Sequence, residues 1–152
     1  MALKEKISDI SAIGGDTVFL LFVFVAAAAG LKSVVLVLLA SWLMAYAITF
    51  AIRMVWWQER PDKESYKNIW QKFDAGSFPS LHAMRATILM ASLASFYHNP
   101  LATAGFAVAV AAVCYARVWL KRHRLIDILA GVPLGLAAYW LAPKIINALH
   151  LI

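Results

Sequence analysis

The chain has 152 residues, of which 63% are hydrophobic and 14% are charged, and this composition excludes an ordinary soluble domain of that length. Its mean hydropathy of +0.75 indicates an integral membrane protein. A formal net charge of +6 is typical of membrane topology and of attraction to anionic headgroups, so the expected partners are lipids and the bilayer rather than nucleic acid.

Five apolar runs predict five transmembrane helices, because about 20 residues cross a hydrocarbon layer of roughly 30 Å. The runs cover about 11–31, 33–52, 83–97, 101–116 and 125–142. Polar backbone cannot face lipid, so we expect these runs to be helices packed as one bundle. The predicted fold class is therefore all-α, with a single transmembrane domain over residues 1–152.

The long polar segment between the second and third predicted spans contains a further periodic pattern. Tyr66, Ile69, Trp70 and Phe73 recur at helical spacing between lysines. This pattern predicts a short amphipathic helix lying in the membrane interface. A plain loop is an equally good interpretation.

Counting the crossings places the polar clusters of the chain on one membrane face. Predicted spans two and four end on the side on which spans three and five begin. Residues 53–60, 79–85 and 117–127 are therefore expected to meet there. Topology alone predicts a polar site.

The residue types on that face suit a phosphate. Arg53, Arg60 and Arg117 can present forked donors to phosphate oxygens. Ser80 is expected to cap the third predicted span, whose first N–H groups, including that of Leu81, would then point at an anion. These clusters lack the carboxylate or Cys/His sets that metal sites need, so no metal or other cofactor is expected.

His123 and Asp127 stand four residues apart, so in a helix the carboxylate would hold the imidazole as in an oriented nucleophile or base. Taken alone, a basic loop with a chance pair explains that stretch equally well. Together with the arginines, the pair favours phosphoryl transfer, which needs positioned charge, an in-line nucleophile and a donor for the leaving oxygen. His82 and His123 could divide the last two roles.

Three motifs on this face resemble those of the type 2 phosphatidic acid phosphatases, the PAP2 superfamily, which are relatives of the vanadium haloperoxidases. They read Arg53-x6-Arg60-Pro61, Pro79-Ser80-Leu81-His82 and Arg117-x5-His123-x3-Asp127. The resemblance implies that His123 forms a phosphohistidine, that Asp127 orients it and that His82 protonates the leaving group. It also implies a phosphate site formed by Arg53, Arg60, Arg117, Ser80 and the Leu81 N–H.

The chain departs from the usual motifs at three positions. Arg53 replaces a lysine and keeps its charge, and Ala116 replaces a serine and removes one hydroxyl. Leu81 replaces a glycine, so the backbone there loses a positive-φ option and the side chain could narrow the pocket. The chain also has one predicted span fewer than is usual in the family. The catalytic groups remain, and the substrate range is left open.

We therefore expect a metal-independent membrane lipid phosphate or diphosphate phosphatase. Its candidate substrates are a polyprenyl diphosphate, phosphatidylglycerophosphate, phosphatidate and a lipid A phosphate. One alternative is a lipid phosphotransferase, and another is a non-catalytic protein that binds anionic lipid or transports ions. A transporter would need ionisable residues deeper in its spans. The oligomeric state is left open.

Two expectations concern the surroundings of the site. Arg85 could contact a lipid headgroup, although snorkelling to the interface is the preferred interpretation.

The active face holds 12 of the 14 basic residues, because Lys32 and Lys144 lie opposite. The positive-inside rule then favours the cytoplasm. The PAP2 resemblance favours the extracytoplasmic side of the cell membrane, which we prefer because anionic substrate also recruits basic residues.

Overall fold

The computed structural model describes residues 2–62 and 67–150, and regular structure in these ranges is helical apart from one isolated bridge between Glu59 and Gly76. The helices are α1 (Ala2–Ala12), α2 (Asp16–Ala28), α3 (Lys32–Val55), α4 (Ile69–Ala75), α5 (Leu81–Tyr97), α6 (Pro100–Trp119) and α7 (Leu125–Ala148). The predicted all-α bundle is confirmed.

The helix boundaries follow from local capping chemistry. The Ser80 hydroxyl accepts the Ala83 N–H at the start of α5, as predicted for an N-cap. The Asn99 side chain accepts two N–H groups at the start of α6, where Pro100 occupies the first turn. Proline is suited to that position because its missing N–H would have no helical partner.

Helix α5 lies at the centre of the bundle and packs against α3, α6 and α7. Its N-terminal half is buried. Two glycines of α7 let this pair approach closely, since a Cβ at Gly131 would lie 2.8 Å from the Ser80 carbonyl oxygen and one at Gly135 would lie 2.7 Å from that of Met84. The close contact brings the N-termini of α5 and α7 together.

The spans differ from the five separate crossings that we expected. In the described part of the chain, α3, α6 and α7 are long and apolar enough to cross a membrane, and α1 with α2 forms a fourth candidate that is bent by 44°. Helix α5 corresponds to the third predicted span but has 17 residues, slightly fewer than the 20 or so that usually cross a bilayer.

The first predicted span is wrong in its boundaries. We expected one helix from about residue 11 to residue 31, whereas α1 ends at Ala12 and α2 begins at Asp16. Gly14 and Gly15 lie in the break, and a Cβ at Gly14 would lie 2.7 Å from the His82 carbonyl oxygen. The break therefore lets this backbone pass next to the start of α5, while α1 packs against α6.

The polar segment between α3 and α5 contains a short helix, as the sequence pattern there predicted. Helix α4 includes Ile69 and Phe73, and Asn68 caps it by accepting the Gln71 N–H. The helical interpretation of this segment is thus the correct one from residue 69 onward. Tyr66, the first residue of the predicted pattern, lies outside the described residues.

Candidate active site

The sequence-predicted residues converge where α3 and α6 end and where α5 and α7 begin. A cavity of about 230 Å³ lies there. Its lining residues are Asp16, Tyr46, Arg53, Arg60, Asp74, Leu81, His82, Arg85 and His123. The structure therefore brings the three motifs together, as crossing parity predicted.

His123 and Asp127 lie side by side and are both buried. Nδ1 of His123 is 3.5 Å from Oδ2 of Asp127, which is longer than an ordinary hydrogen bond. His123 lies in the loop before α7 rather than on a helix, so the pair spans a helix start and is not the helical i and i+4 pair that we expected. Asp127 is held in place because its Oδ2 accepts the Arg124 N–H at 2.7 Å and the Ser77 hydroxyl.

The surroundings of His123 keep its ring neutral. Burial lowers the pKa of His123 to about 4, Arg117 and Arg60 act in the same direction, and Asp127 opposes them. A neutral imidazole carries the lone pair that a nucleophile needs. With Nδ1 directed to Asp127, Nε2 is the nitrogen left for chemistry.

Arg53 is buried and supports the loop that precedes α5. Its guanidinium donates to the carbonyl oxygens of Phe73, Phe78 and Pro79, the last two at 3.2 and 3.1 Å. Three of its five N–H donors are therefore used inside the protein. The remaining two and the positive charge are available to an anion in the cavity.

Arg60 and Arg117 come from the loop after α3 and from the last turn of α6. Burial lowers the pKa of the Arg60 guanidinium, with Asp62 raising it and Arg122 lowering it. Arg117 is buried, donates from Nη1 to the Ser11 hydroxyl at 3.1 Å, and within the described residues its Nε has no hydrogen-bond partner. These cations are crowded together, which favours a bound anion.

Ser80 and Leu81 are both buried at the start of α5. The Ser80 side chain is used as the helix cap, and its own N–H donates to the Asp127 carbonyl oxygen at 3.1 Å. Leu81 is the first helical residue, and its φ is not among the positive values of the described chain. The usual glycine is therefore not required for the backbone at this position. The first N–H groups of α5 lack acceptors within the helix, the condition for binding an anion.

Arg85 does not snorkel, so our preferred interpretation of it is wrong. It is 3% exposed, and its Nη1 lies 2.7 Å from both carboxylate oxygens of Asp16. It also donates to the Gly14 carbonyl oxygen and to the Tyr46 hydroxyl, each at 2.9 Å. A charge buried in this way persists because it is paired.

Arg85 also contacts a predicted catalytic residue. Its Nη2 lies 3.3 Å from Nδ1 of His82. A guanidinium only donates, so Nδ1 of His82 accepts and the ring proton resides on Nε2. Arg85 thus holds the His82 ring in one orientation and one tautomer.

Sequence reasoning missed the residues that hold these arginines and Asp127. They are Ser11, Gly14, Asp16, Tyr46 and Ser77. One signal was available, because Asp16 and Arg85 each place a single charge inside a predicted apolar span. Such charges are costly unless they pair with each other.

Comparison with known proteins identifies the family. The PAP2 superfamily model matches residues 34–150. The chain belongs to the PAP2 superfamily. The resemblance in its motifs is confirmed, and every motif residue of this PAP2 protein lies in the matched range. Ser11, Gly14 and Asp16 precede that range.

Two solved structures share the fold. LpxE from Aquifex aeolicus has a TM-score of 0.76 and 17% identity, with 94% of this chain and 86% of that chain covered. A transmembrane PAP2-type phosphatidylglycerolphosphate phosphatase from Bacillus subtilis has a TM-score of 0.70 and 22% identity, with 96% of this chain and 77% of that chain covered. A search of curated proteins found no significant match.

Proposed function

We propose that this PAP2 protein is a membrane lipid phosphate or diphosphate phosphatase that acts through a covalent phosphohistidine and needs no metal ion. The observation that carries the proposal is the position of the buried, neutral His123. It lies against Asp127 and lines a cavity that it shares with Arg53, Arg60 and His82. A nucleophile, an orienting carboxylate, cations and a second histidine are thereby adjacent.

In the proposed reaction, Nε2 of His123 attacks the phosphorus of the bound substrate. An N–P bond forms, the P–O bond to the lipid breaks, and the electron pair leaves with the oxygen. The Nε2–H of His82 donates a hydrogen bond to that oxygen, which takes its proton from a water molecule. The hydroxide formed from that water then attacks the phosphohistidine and the N–P bond breaks, which releases inorganic phosphate and free His123.

The arginines would stabilise the charge on the phosphoryl oxygens during both steps. Arg53 and Arg60 line the cavity directly. Arg117 is held by Ser11 and lines an adjoining cavity. The N–H groups of Leu81 and His82, at the start of α5, would add neutral donors.

The size of the cavity supports a lipid substrate. About 230 Å³ is less than the roughly 300–1,000 Å³ of sites that enclose a whole small molecule. The cavity can hold a phosphate group while the rest of the substrate stays outside it, in the bilayer. The candidates remain a polyprenyl diphosphate, phosphatidylglycerophosphate, phosphatidate and a lipid A phosphate.

The arrangement of donors supports catalysis without a metal. Within residues 2–62 and 67–150, no group of three or more His, Cys, Asp or Glu side chains is placed to hold a metal ion. Arginines can supply the charge neutralisation that a metal would otherwise provide. Activity is therefore expected to survive excess EDTA, and complete loss that magnesium restores would contradict the proposal.

The test of the function is phosphate release by the purified protein in detergent from a panel of lipid phosphates. Wild-type protein should release phosphate from at least one of them, and His123→Ala should lower the rate by about 1,000-fold or more while lipid binding persists. Vanadate should inhibit, because it mimics the five-coordinate transition state. Near-normal activity of His123→Ala would overturn the mechanism.

We also propose that the site faces the extracytoplasmic side, with the N-terminus on that side. Lys4 of α1 lines the cavity that contains Arg117, which supports a position of α1 on the active face. Basic residues gathered around an anionic substrate would account for the charge bias that otherwise favours the cytoplasm.

A further inference from the structure

A second, larger cavity adjoins the catalytic one. It has a volume of about 500 Å³, and His82 and Arg60 line both cavities. The other residues that line it are Lys4, Ser8, Ser11, Asp62, Arg117, Leu120 and Arg122. Four of these side chains, counting Arg60, are cationic, and the single carboxylate, Asp62, lies 3.0 Å from Arg122. The lining therefore suits an anion.

The position of this cavity matches that of a leaving group. In phosphoryl transfer the attacking and leaving atoms lie roughly in line through phosphorus. His123 lines the first cavity, and His82, which faces the leaving oxygen in the proposed reaction, lines both. The leaving group thus lies on the side of His82 and extends toward the second cavity.

The first cavity is less suited to a second anion than the second cavity. Its lining includes the carboxylate of Asp16, which is paired with Arg85, and that of Asp74. The Asp74 carboxylate would repel a like charge held near it. An additional anionic group on the substrate is therefore directed toward Lys4 and Arg122, beside Arg117.

The contact between His82 and Arg85 also bears on the leaving group. Nδ1 of His82 accepts from Arg85 at 3.3 Å, so the ring is a neutral donor through Nε2–H, a weaker acid than imidazolium. An alkoxide leaving group needs a full proton, whereas a phosphate departs as a stabilised anion. The neutral ring is sufficient for a phosphate leaving group.

We propose that the second cavity binds a phosphate adjacent to the scissile one, so that the preferred substrate is a lipid diphosphate. This proposal rests on the proposed phosphatase function. His123 takes the terminal phosphoryl group, the bridging P–O bond breaks, and the lipid monophosphate leaves with the electron pair into the second cavity. Water then releases inorganic phosphate from His123.

Two substrates with the same hydrocarbon chain test the proposal, farnesyl diphosphate and farnesyl monophosphate. Wild-type kcat/KM should be higher for the diphosphate by about tenfold or more. Lys4→Ala should lower the ratio of the two kcat/KM values by about 5-fold or more. Lys6→Ala is the matched control, since among the described residues Lys6 of the same helix is not part of the lining. That variant should leave the ratio unchanged.

Inhibition gives a readout that does not depend on turnover of a lipid. Methylenediphosphonate should inhibit more strongly than methylphosphonate, and Lys4→Ala should reduce that difference while Lys6→Ala preserves it. Equal inhibition by both compounds, or a wild-type kcat/KM ratio near one, would overturn the diphosphate assignment even if phosphate is released.

Two further outcomes separate the proposals. If wild-type protein releases phosphate from no lipid of the whole panel, the lipid A phosphate included, the phosphatase function itself fails. Phosphatidylglycerophosphate could be preferred over phosphatidate while the two farnesyl substrates react equally. The second cavity would then bind a phosphodiester that is not directly bonded to the scissile phosphate. That outcome overturns the assignment to a lipid diphosphate.

Discussion

The environment of His123 determines the pH range in which it can act. Burial, together with Arg117 and Arg60, lowers its pKa from 6.5 to about 4 against the opposing effect of Asp127. His82 also faces this ring. Because the imidazole must be neutral to attack, the acid limb of kcat/KM is expected near pH 4. Phosphate release across the pH range measures it, and a limb near 6.5 would contradict the assignment.

Asp127→Asn tests what the Asp127 carboxylate contributes to the same residue pair. The carboxylate raises the pKa of His123, so its removal should move the acid limb to lower pH. The rate should fall by roughly 100-fold, less than for loss of His123, because Asp127 orients the ring without reacting. An unchanged size-exclusion profile of the variant controls for folding. A limb that moves to higher pH would contradict the role of Asp127.

Asp16 is predicted to influence catalysis through Arg85 and His82. Asp16→Asn keeps the size of the side chain but removes the charge opposite Arg85, so the His82 ring loses its fixed orientation. The expected result is a fall in kcat of about tenfold with little change in KM, since His82 acts on the leaving group and not on binding. Steady-state kinetics on a lipid phosphate measure both constants.

The control for this change is Asp9→Asn, because Asp9 is exposed on α1 and its variant should behave as wild type. A rise in KM with an unchanged kcat in Asp16→Asn would instead assign Arg85 to substrate binding. That result would support the contact between Arg85 and a lipid headgroup that the sequence suggested.

At the level of the helices, the contact between α5 and α7 makes a testable prediction. A Cβ at Gly135 would lie 2.7 Å from the Met84 carbonyl oxygen and 2.9 Å from its Cα. Gly135→Ala must therefore push the helices apart and should cost about 1–3 kcal/mol of stability. Thermal unfolding in detergent measures it, with activity expected to fall as the N-termini of α5 and α7 separate.

Gly105→Ala on α6 is the matched control. A Cβ there meets nothing within 4 Å, and alanine has the higher helix propensity, by roughly 1 kcal/mol. This variant should be as stable as wild type or slightly more stable. Equal destabilisation by both substitutions would mean that helix packing is not the cause.

The helices themselves were predictable where the signal was long and regular. The runs that correspond to α3, α6 and α7 are apolar over most of their length. Each helix could therefore be predicted without knowing which of its sides packs against its neighbours. The break between α1 and α2 was not predictable in the same way, because Gly14 and Gly15 are tolerated in an apolar run. Only the close approach of that backbone to His82 explains why the helix stops there.

At the level of the whole molecule, the sidedness of the site can be tested with single cysteines. After replacement of Cys114, cysteines at positions 67 and 144 report opposite faces, and both positions are exposed. If the site is extracytoplasmic, an impermeant maleimide should label position 67 in intact cells and leave position 144 unlabelled. The reverse pattern would contradict the proposed orientation, and lysed cells should label at both positions.

Crossing parity predicted which clusters would meet, because the ends of successive spans must share a face. It could not predict how each side chain is used after they meet. Arg53 donates to three backbone carbonyl oxygens, the Ser80 hydroxyl caps α5, and Arg85 forms a buried salt bridge with Asp16. These choices depend on partners remote in the chain, which no local pattern contains.

The partners of α1 and α2 have a consequence for how the protein is made. Asp16 is paired with a residue 69 positions later, and Ser11 with one 106 positions later. In a chain synthesised from its N-terminus, the Asp16 carboxylate reaches the membrane long before Arg85 exists. Its earlier partners are Trp42 and Tyr46 of α3, which donate to the same carboxylate at 3.1 and 2.9 Å. Helix α2 can therefore pack on α3 first, while the contacts of Asp16 and Ser11 with the buried arginines form only after α5 and α6 have been made.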